Sequence, residues 1–456
     1  MYIYLLGIRT SSLGLLLGQS FFIGPQLLSC KGGRVAQQRL TRQNEWMQHS
    51  EPSNCPTIAI ALDSFKGTLT AAAAVSALAT GLRQTLPQAR ILQWPLADGG
   101  EGTLAAFQTL LEGTLQYFEV ETAAGIQETV PVYICQMGGH SAVVIEVAQV
   151  VGITNPRAMQ LPITQRTTVG VGQLIQCALD QGIQQIYIGL GGSCTNEGGA
   201  GLLTALGVQL RDANGRLLAP TIEGLLSLAE VEASHLDPRL ADSHIVLLSD
   251  VASPLCGPQG ATHTFGPQKG LTEAADRHRI DEALGHFATL AQSAMTTLQR
   301  QAPDHCSLLP GAGAAGGLGF ALQLLGAKYC SGAQFIAELL NLPHHVNQVD
   351  WLITGEGRSD RQTLQGKAPW ALAQMGQTAH IPVTLLSGVI APEDRAVLEQ
   401  AFGRDCLSLA PGDTCCFPPS LAPSTEEDCR THAYDWMVKA GAQLGHRWQT
   451  SSYPFS

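Results

Sequence analysis

Downstream of an N-terminal extension, the sequence alternates short apolar runs with helical stretches, and this alternation restricts the folds that the chain can adopt. The first run, residues 57–62 (TIAIAL), predicts a strand. Val75, Leu78 and Leu82 then share one face of a helix predicted over 71–86. Further strands are predicted at 91–96, 184–190, 244–249, 349–354 and 381–387. Strands that alternate with helices form mostly parallel sheets with helices on their faces, so the pattern predicts an α/β fold.

One stretch within this alternation has a different pattern. Residues 115–122, 129–135 and 141–148 are strand-like runs joined by short turns. This spacing is typical of antiparallel pairs, so we expect a β-rich section there. The chain has 456 residues, which suggests two or three domains because a single core rarely grows beyond roughly 250–300 residues.

Composition and charge exclude several classes of function. The chain carries 26 Lys and Arg against 37 Asp and Glu, a net charge of −11. We find no basic cluster, which argues against a nucleic-acid partner because phosphate neutralisation requires one. The 12 cysteines include no C-x-x-C pair, so neither a zinc ribbon nor a thioredoxin motif is present. Such dilute cysteines favour a cytoplasmic enzyme with reduced thiols.

Residues 1–54 require a separate interpretation. The stretch 11–30 is apolar and is compatible with a signal peptide, whereas a spanning helix is disfavoured because glycines and Pro25 interrupt it. We favour a third interpretation, in which Met47 is the true start and residues 1–54 are not part of the fold. No other segment of the sequence is apolar enough to span a membrane, so we expect no membrane partner.

Six glycine-containing segments carry the candidate chemistry, and at least four of them directly follow a predicted strand. They are 63–68 (DSFKGT), 98–103 (DGGEGT), 189–199 (GLGGSCTNEGG), 265–270 (FGPQKG), 310–319 (PGAGAAGGLG) and 354–363 (TGEGRSDRQT). In open parallel sheets, ligands bind beyond the carboxyl ends of the strands, so these segments can converge on one edge. Glycine lets backbone N–H groups approach an anion, carboxylates suit Mg²⁺, and lysines suit phosphate oxygens. The set therefore indicates phosphoryl transfer.

Each of these residues, taken singly, has a simpler interpretation. The lysines could lie on the surface, Asp63 and Asp98 could end a strand or cap a helix, and Glu356 and Asp360 could be solvated loop charges. No G-x-x-x-x-G-K-[ST] string is present, so the Walker phosphate loop is excluded. The convergence of six segments is what favours a functional site.

The motifs also carry a resemblance to a known family. In chain order, the strings DSFKGTLTA, PLADGGEGT, GLGGSCTN, GPQKG, PGAGAAGGLG and TGEGRSDRQTLQGK resemble those of the type I glycerate kinases. The likeness is dense over roughly residues 56–392. It implies ATP-dependent phosphorylation of D-glycerate to 2- or 3-phosphoglycerate, with Mg²⁺ as cofactor.

The resemblance further implies a two-domain architecture. A Rossmann-like domain with a doubly wound parallel sheet would comprise residues 55–98 and 295–448. A second α/β domain with partly antiparallel strands, residues 99–294, would be inserted into it. The active site would lie in the cleft between the two domains.

Charge complementarity suggests roles for residues within the matching motifs. The predicted catalytic residues are Asp360, Lys66 and Asp98. The predicted substrate-binding residues are Arg358, Asp63 and Ser64. The predicted Mg²⁺ ligands are Asp98, Glu101, Asp250 and Glu356. The predicted nucleotide- and phosphate-binding residues are Ser193, Asn196, Lys269, Gly311, Gly313, Gly316 and Lys367. Arg358 would bind the substrate carboxylate and Asp360 would be the base, although Asp98 and Asp360 could exchange roles.

Two positions depart from the family pattern, and two alternative functions stay open. Glu197 replaces the usual Asp and Ser253 replaces the usual Asn, which puts metal or substrate geometry in question but not the reaction class. The alternatives are a kinase of another small hydroxy acid and a catalytically inactive metabolite-binding homologue. The sequence is also compatible with a homo-oligomer.

Overall fold

The computed structural model describes residues 55–65, 67–97, 99–297, 303–365, 367–403, 406–410 and 425–450. Its strands are β1 Thr57–Leu62, β2 Arg90–Pro95, β3 Gly113–Glu121, β4 Gln127–Met137, β5 His140–Glu146, β6 Gln185–Gly189, β7 Gln209–Arg211, β8 Glu230–Glu232, β9 His244–Leu248, β10 Lys328–Cys330, β11 Trp351–Ser359, β12 Val383–Ile390 and β13 Cys406–Ser408. The predicted extension 1–54, Lys66 and Asp98 lie outside the described residues.

Helices cover both sheets and connect most of the strands. They are α1 Ala71–Thr85, α2 Thr103–Leu110, α3 Ala148–Val151, α4 Pro156–Gln160, α5 Val169–Asp180, α6 Ala200–Ala205, α7 Ile222–Leu225, α8 Ala261–Phe265, α9 Ala274–Thr297, α10 Leu318–Leu324, α11 Gly332–Leu339, α12 Leu342–Val346, α13 Ala368–Thr378, α14 Arg395–Phe402, α15 Glu426–Thr431 and α16 Ala433–Thr450. Helix α1 begins where the sequence predicts, because the Thr70 side chain accepts a hydrogen bond from the Ala73 N–H at 3.2 Å. Among the described residues, every helix is too short or too polar to cross a bilayer.

The first sheet is parallel throughout, with strand order β13-β12-β11-β1-β2. One face packs against α1 and α16, where Ile58 and Ile60 meet Leu78 and Met437 in a buried cluster. The predicted α/β fold with a parallel sheet is confirmed.

The second sheet is mixed, with strand order β10-β9-β6-β5-β4-β3. Strands β3, β4 and β5 pair antiparallel, and β5, β6, β9 and β10 pair parallel, which confirms the predicted antiparallel section. Its outer face is covered by α5, α6, α9 and α10, where Phe287 packs edge-on against Phe320 with ring centroids 6.1 Å apart. Strand β10 pairs with β9, so the second sheet includes residues on both sides of residue 294.

Helices α2 and α11 lie between the two sheets and share one core with both. Phe107 of α2 stacks on Phe335 of α11 with centroids 5.9 Å apart, and Phe335 lies 5.2 Å from Tyr187 of β6. The same cluster contains Leu352 from the first sheet and Leu248 from the second. This shared core fixes the two sheets relative to each other.

Strand β11 is longer at its carboxyl end than the sequence predicts. The apolar run suggests an end at Thr354, but the strand continues to Ser359 and keeps its pairing with β12 as far as Ile390. This polar part of the strand lies at the carboxyl edge of the sheet. Glu356 and Arg358 therefore lie on a strand. A solvated loop charge at Glu356 would require a loop at this position.

Candidate active site

Asp63 and Glu356 adjoin at the carboxyl edge of the first sheet, because the preceding residues Leu62 and Gly355 pair across β1 and β11. The Asp63 N–H donates to the Gly355 carbonyl oxygen at 2.9 Å, and the Ser64 N–H donates to Asp63 Oδ1 at 2.6 Å. The Ser64 hydroxyl oxygen is buried and has no hydrogen-bond partner among the described residues. The structure thus brings the first and the last predicted motif together.

Glu356 lies at the centre of a hydrogen-bond network on this edge. Its Oε1 atom accepts from Thr363 Oγ1 at 2.6 Å and from Ser359 Oγ at 3.2 Å. Its Oε2 atom accepts from Lys367 Nζ at 3.1 Å. Ser359 Oγ also lies 2.7 Å from Ser387 Oγ on β12. The buried carboxylate therefore holds two strands, the turn that follows β11 and Lys367 in one arrangement.

Arg358 and Asp360 lie side by side at the end of β11. The Arg358 side chain is 68% exposed, and its Nε atom is 4.0 Å from Asp360 Oδ2. Asp360 Oδ1 accepts from the Gln362 N–H at 2.8 Å, so this oxygen caps the short 3-10 turn 361–365. One oxygen of Asp360 thus caps this turn, and the other lies on the side of the Arg358 guanidinium.

The segment after β2 joins the two sheets and positions Glu101. Glu146, at the end of β5, is buried and accepts from the Leu104 N–H at 3.0 Å and from Gln149 Nε2 at 3.2 Å. It thereby satisfies N–H groups at the start of α2, directly after the exposed Glu101. Burial raises the pKa of the Glu146 carboxyl, and the charge of Glu101 acts in the same direction.

Glycines make this junction close-packed. The Gly191 N–H donates to the Gly99 carbonyl oxygen at 3.1 Å. A Cβ atom at Gly191 would lie 2.2 Å from Gly100 Cα, and one at Gly99 would lie 2.2 Å from the Leu248 carbonyl oxygen. Since neither position has room for a side chain, the carboxyl ends of β2, β6 and β9 meet backbone to backbone.

Lys269 is buried and bonds to protein groups. Its Nζ atom donates to Ser193 Oγ at 3.0 Å and to the Thr195 carbonyl oxygen at 2.7 Å. Arg166 Nη1 donates to the carbonyl oxygens of Cys194 and Lys269 at 2.9 and 3.0 Å. Lys269 and Arg166 therefore hold the 189–199 segment in place through its side-chain and backbone oxygens. Ser193 and Lys269, both predicted to bind phosphate, form a hydrogen bond with each other.

Asn196 and Glu197 are fully buried in the same segment. Asn196 Nδ2 donates to Thr262 Oγ1 at 2.9 Å. The Glu197 carboxylate accepts from the Thr168 hydroxyl and N–H and from the N–H groups of Gly199 and Gly201. Burial raises the pKa of Glu197, opposed by these hydrogen bonds. Glu197 therefore stabilises the turn into α6, a role in which its extra methylene relative to Asp is accommodated.

The glycines of the 310–319 segment pack closely against other parts of the protein. A Cβ atom at Gly316 would lie 2.0 Å from the Thr195 carbonyl oxygen, and one at Gly313 would lie 2.3 Å from the Pro254 carbonyl oxygen. A Cβ atom at Gly311 would lie 2.4 Å from the Tyr329 ring. These neighbours explain why the segment is almost wholly Gly and Ala.

Asp250 lies at the carboxyl end of β9, next to β10. Its Oδ1 atom accepts from Ser331 Oγ at 2.7 Å. Burial raises the pKa of the neighbouring Tyr329 to about 12, with a further contribution from the charge of Asp250. Asp250 thus adds a carboxylate at the carboxyl edge of the second sheet, where Glu146 ends β5.

Comparison with known proteins identifies the family. A sequence model of the glycerate kinase family matches residues 58–416. The chain belongs to the glycerate kinase family. It is 38% identical to a glycerate kinase of Halalkalibacterium halodurans over 357 residues, covering 78% of this chain and 91% of the relative. It is also 38% identical to glycerate 2-kinase of Escherichia coli K12 over 388 residues, covering 85% and 96%.

A solved structure supports the same assignment. The crystal structure of a protein assigned as glycerate kinase 2 from Salmonella typhimurium LT2 matches with a TM-score of 0.69 at 34% identity. The match covers 87% of this chain and 99% of that chain. These findings confirm the predicted family, the fold, and the predicted enzyme class, a phosphotransferase with an alcohol group as acceptor.

Three of the carboxylates predicted to bind Mg²⁺, Glu101, Asp250 and Glu356, are among the described residues. Among the described residues, no three His, Cys, Asp or Glu side chains converge on one point. Both oxygens of Glu356 already accept hydrogen bonds, whereas Glu101 is exposed.

Three residues of this candidate site were not identified from the sequence. Glu146 is a lone carboxylate within the predicted strand-like run 141–148, which is a signal that could have identified it. Thr363 follows Asp360 by three residues, the spacing of a reciprocal helix cap. Arg166 has no local signal, because its partners are backbone groups far away in the sequence.

Proposed function

We propose that this protein is a glycerate kinase that transfers the γ-phosphoryl group of ATP to the 2-hydroxyl of D-glycerate, giving 2-phosphoglycerate and ADP. The observation that carries the proposal is an exposed guanidinium, Arg358, whose Nε atom lies 4.0 Å from Asp360 Oδ2 at the end of β11, the strand whose pairing with β1 ends directly before Asp63. The choice of the 2-hydroxyl is supported by the 38% identity to a relative named glycerate 2-kinase.

Arg358 suits the glycerate carboxylate, because a guanidinium forms two parallel hydrogen bonds to a carboxylate and is always charged. Asp360 Oδ2 lies 4.0 Å from that guanidinium, so a glycerate carboxylate bound by Arg358 would bring its adjacent hydroxyl close to Asp360. Asp360 would accept the hydroxyl proton while the hydroxyl oxygen bonds to the γ-phosphorus and the bond to the ADP oxygen breaks.

Further roles follow for the remaining motif residues. Lys367 and the motif residue Lys66 would neutralise phosphate charge, and Asp63 and Ser64 would contact glycerate. Asp98 and Asp250 would contact the Mg²⁺ that accompanies ATP, which supplies charge neutralisation at the β- and γ-phosphates when bound. We propose the cleft between the carboxyl ends of the two sheets as the binding site. A cytoplasmic location is supported by the eight described cysteines that are free thiols.

The test is a coupled assay of ADP formation by the purified chain, followed by phosphorus NMR of the product. We expect ADP release that depends on both D-glycerate and Mg²⁺, with 2-phosphoglycerate as product. Formation of 3-phosphoglycerate would overturn the regiochemistry alone. A preference for another hydroxy acid would support the first alternative function, and absence of turnover with intact folding would support the inactive homologue.

A further inference from the structure

Thr363 forms two side-chain hydrogen bonds that connect Glu356 to Asp360. It is fully buried in the 3-10 turn 361–365. Its Oγ1 atom lies 2.6 Å from Glu356 Oε1 and 3.1 Å from the Asp360 backbone nitrogen. The hydroxyl therefore lies between the network on the sheet edge and the backbone of the proposed base.

The direction of both hydrogen bonds is determined by chemistry. Glu356 is a carboxylate paired with the Lys367 ammonium at 3.1 Å, and a carboxylate accepts hydrogen bonds without donating any. The single hydroxyl proton of Thr363 must therefore point at Glu356. A lone pair of the same oxygen is then left to accept the Asp360 N–H, so the hydroxyl has one orientation only.

These contacts fix Asp360 from three sides. Its N–H donates to Thr363 Oγ1 at 3.1 Å, its carbonyl oxygen accepts from the Thr363 N–H at 3.0 Å, and its Oδ1 atom accepts from the Gln362 N–H at 2.8 Å. The remaining oxygen, Oδ2, is held on the side of Arg358. Rotation of the Asp360 side chain would break the contact with Gln362.

We infer that Thr363 is a positioning residue, which orients the Asp360 carboxylate toward the substrate hydroxyl through a hydrogen bond to the Asp360 backbone. This inference rests on the proposed function. Thr363 does not itself contact the substrate, so its effect should appear in turnover and not in nucleotide binding. Small misplacements of a reacting group can lower rates by up to roughly 10²-fold, which sets the scale of the expected effect.

The test compares Thr363→Val, which keeps the shape and removes the hydroxyl, with Thr363→Ser, which keeps the hydroxyl. We expect Thr363→Val to lower kcat roughly 10- to 100-fold with less than about a twofold change in KM for ATP. Thr363→Ser should retain turnover within about threefold of the wild type. If Thr363→Val does not fold, Thr363→Ala is measured by the same criteria.

Thr384→Val provides a matched control. Thr384 is buried in β12, and its hydroxyl oxygen accepts from Trp351 Nε1 at 2.9 Å, far from the carboxyl edge. Both Val variants lose a buried hydroxyl, so both should lower the melting temperature, but only Thr363→Val should lower kcat per folded molecule. Equal loss of kcat in both variants, or a Ser variant as slow as the Val variant, would overturn the inference.

The two proposals fail in different ways. If the wild type forms no ADP with D-glycerate, the proposed function is wrong. If the wild type is active and Thr363→Val turns over normally, the positioning role is wrong and the proposed function stands.

Discussion

Lys269 Nζ lies 3.0 Å from Ser193 Oγ, although only 2% of the lysine is exposed. Burial lowers the pKa of this lysine from 10.5 to about 8, and the nearby Arg166 acts in the same direction, while Cys194 and Glu197 oppose the shift. The ammonium is therefore used to hold the 189–199 segment, at a cost in desolvation that its hydrogen bonds offset.

We expect the stability of the wild type to rise with pH relative to Lys269→Met. Between pH 8 and 10.5 the unfolded chain binds more protons at this site than the folded chain does, so the free energy of unfolding increases with pH in that window. From pH 7 to 9.5 the gain should be about 1–2 kcal/mol. Urea denaturation of both proteins at the two pH values measures it. Parallel pH dependences would show that Lys269 has an ordinary pKa.

Replacing Arg358 with Ala or Lys should raise KM for glycerate strongly and leave KM for ATP nearly unchanged. The side chain is 68% exposed, so the free energy of unfolding should stay within ~0.5 kcal/mol of the wild type. Lysine lacks the forked geometry that holds a carboxylate, so it should not restore binding. Arg157→Ala in α4, which removes a similarly exposed arginine, is the control. An increase in KM for ATP of the same size would mean that Arg358 contacts the nucleotide.

Asp360→Asn should lower kcat by about 10²–10⁴-fold with modest change in either KM. Asparagine is as good a cap as aspartate, so the turn should persist and circular dichroism should be unchanged. Asp237→Asn is a matched control, because Asp237 also caps a 3-10 turn, accepting from the Arg239 N–H at 2.9 Å. Rescue of the Asp360 variant by high Mg²⁺ would identify a metal ligand, and the base role would pass to Asp98.

Glu356→Gln should lower both activity and stability, and excess Mg²⁺ should restore neither. The amide nitrogen cannot accept from Lys367 or Thr363, so a partly buried ion pair is lost at about 1–3 kcal/mol. Glu399→Gln in α14, which affects a pair with Arg395 whose carboxylate is more exposed than that of Glu356, should change both quantities much less. Recovery of activity with added Mg²⁺ would instead assign Glu356 as a metal ligand, as the sequence predicts.

The sequence was sufficient to predict the alternating elements, the mixed section and the family, since each depends on local periodicity or on contiguous strings. It could not predict that β11 continues to Ser359, because Gly355 and Glu356 interrupt the apolar run while their pairing with β12 maintains the strand. Short strands such as β7, β8 and β13 also escaped, because three residues carry no recognisable period.

The same limit applies to the roles of site residues. Lys269 and Lys367 are both lysines in glycine-containing motifs, yet one is buried against backbone carbonyls and the other is one-third exposed beside Glu356. Burial arises from distant parts of the chain, which no local string records. The motif predicts that a lysine matters, and the packing decides which contact it makes.

The tight backbone contacts of Gly99, Gly191 and Gly316 have a consequence for mutational maps of such enzymes. Each of these positions would place a Cβ atom 2.0–2.2 Å from another backbone atom, so nearly every substitution should prevent the protein from folding. A screen that scores growth alone would rank these glycines with Asp360 and Arg358. Scoring protein abundance separately from turnover would distinguish the two groups. Substitutions at the glycines should lower abundance, whereas substitutions at Asp360 and Arg358 should lower turnover alone.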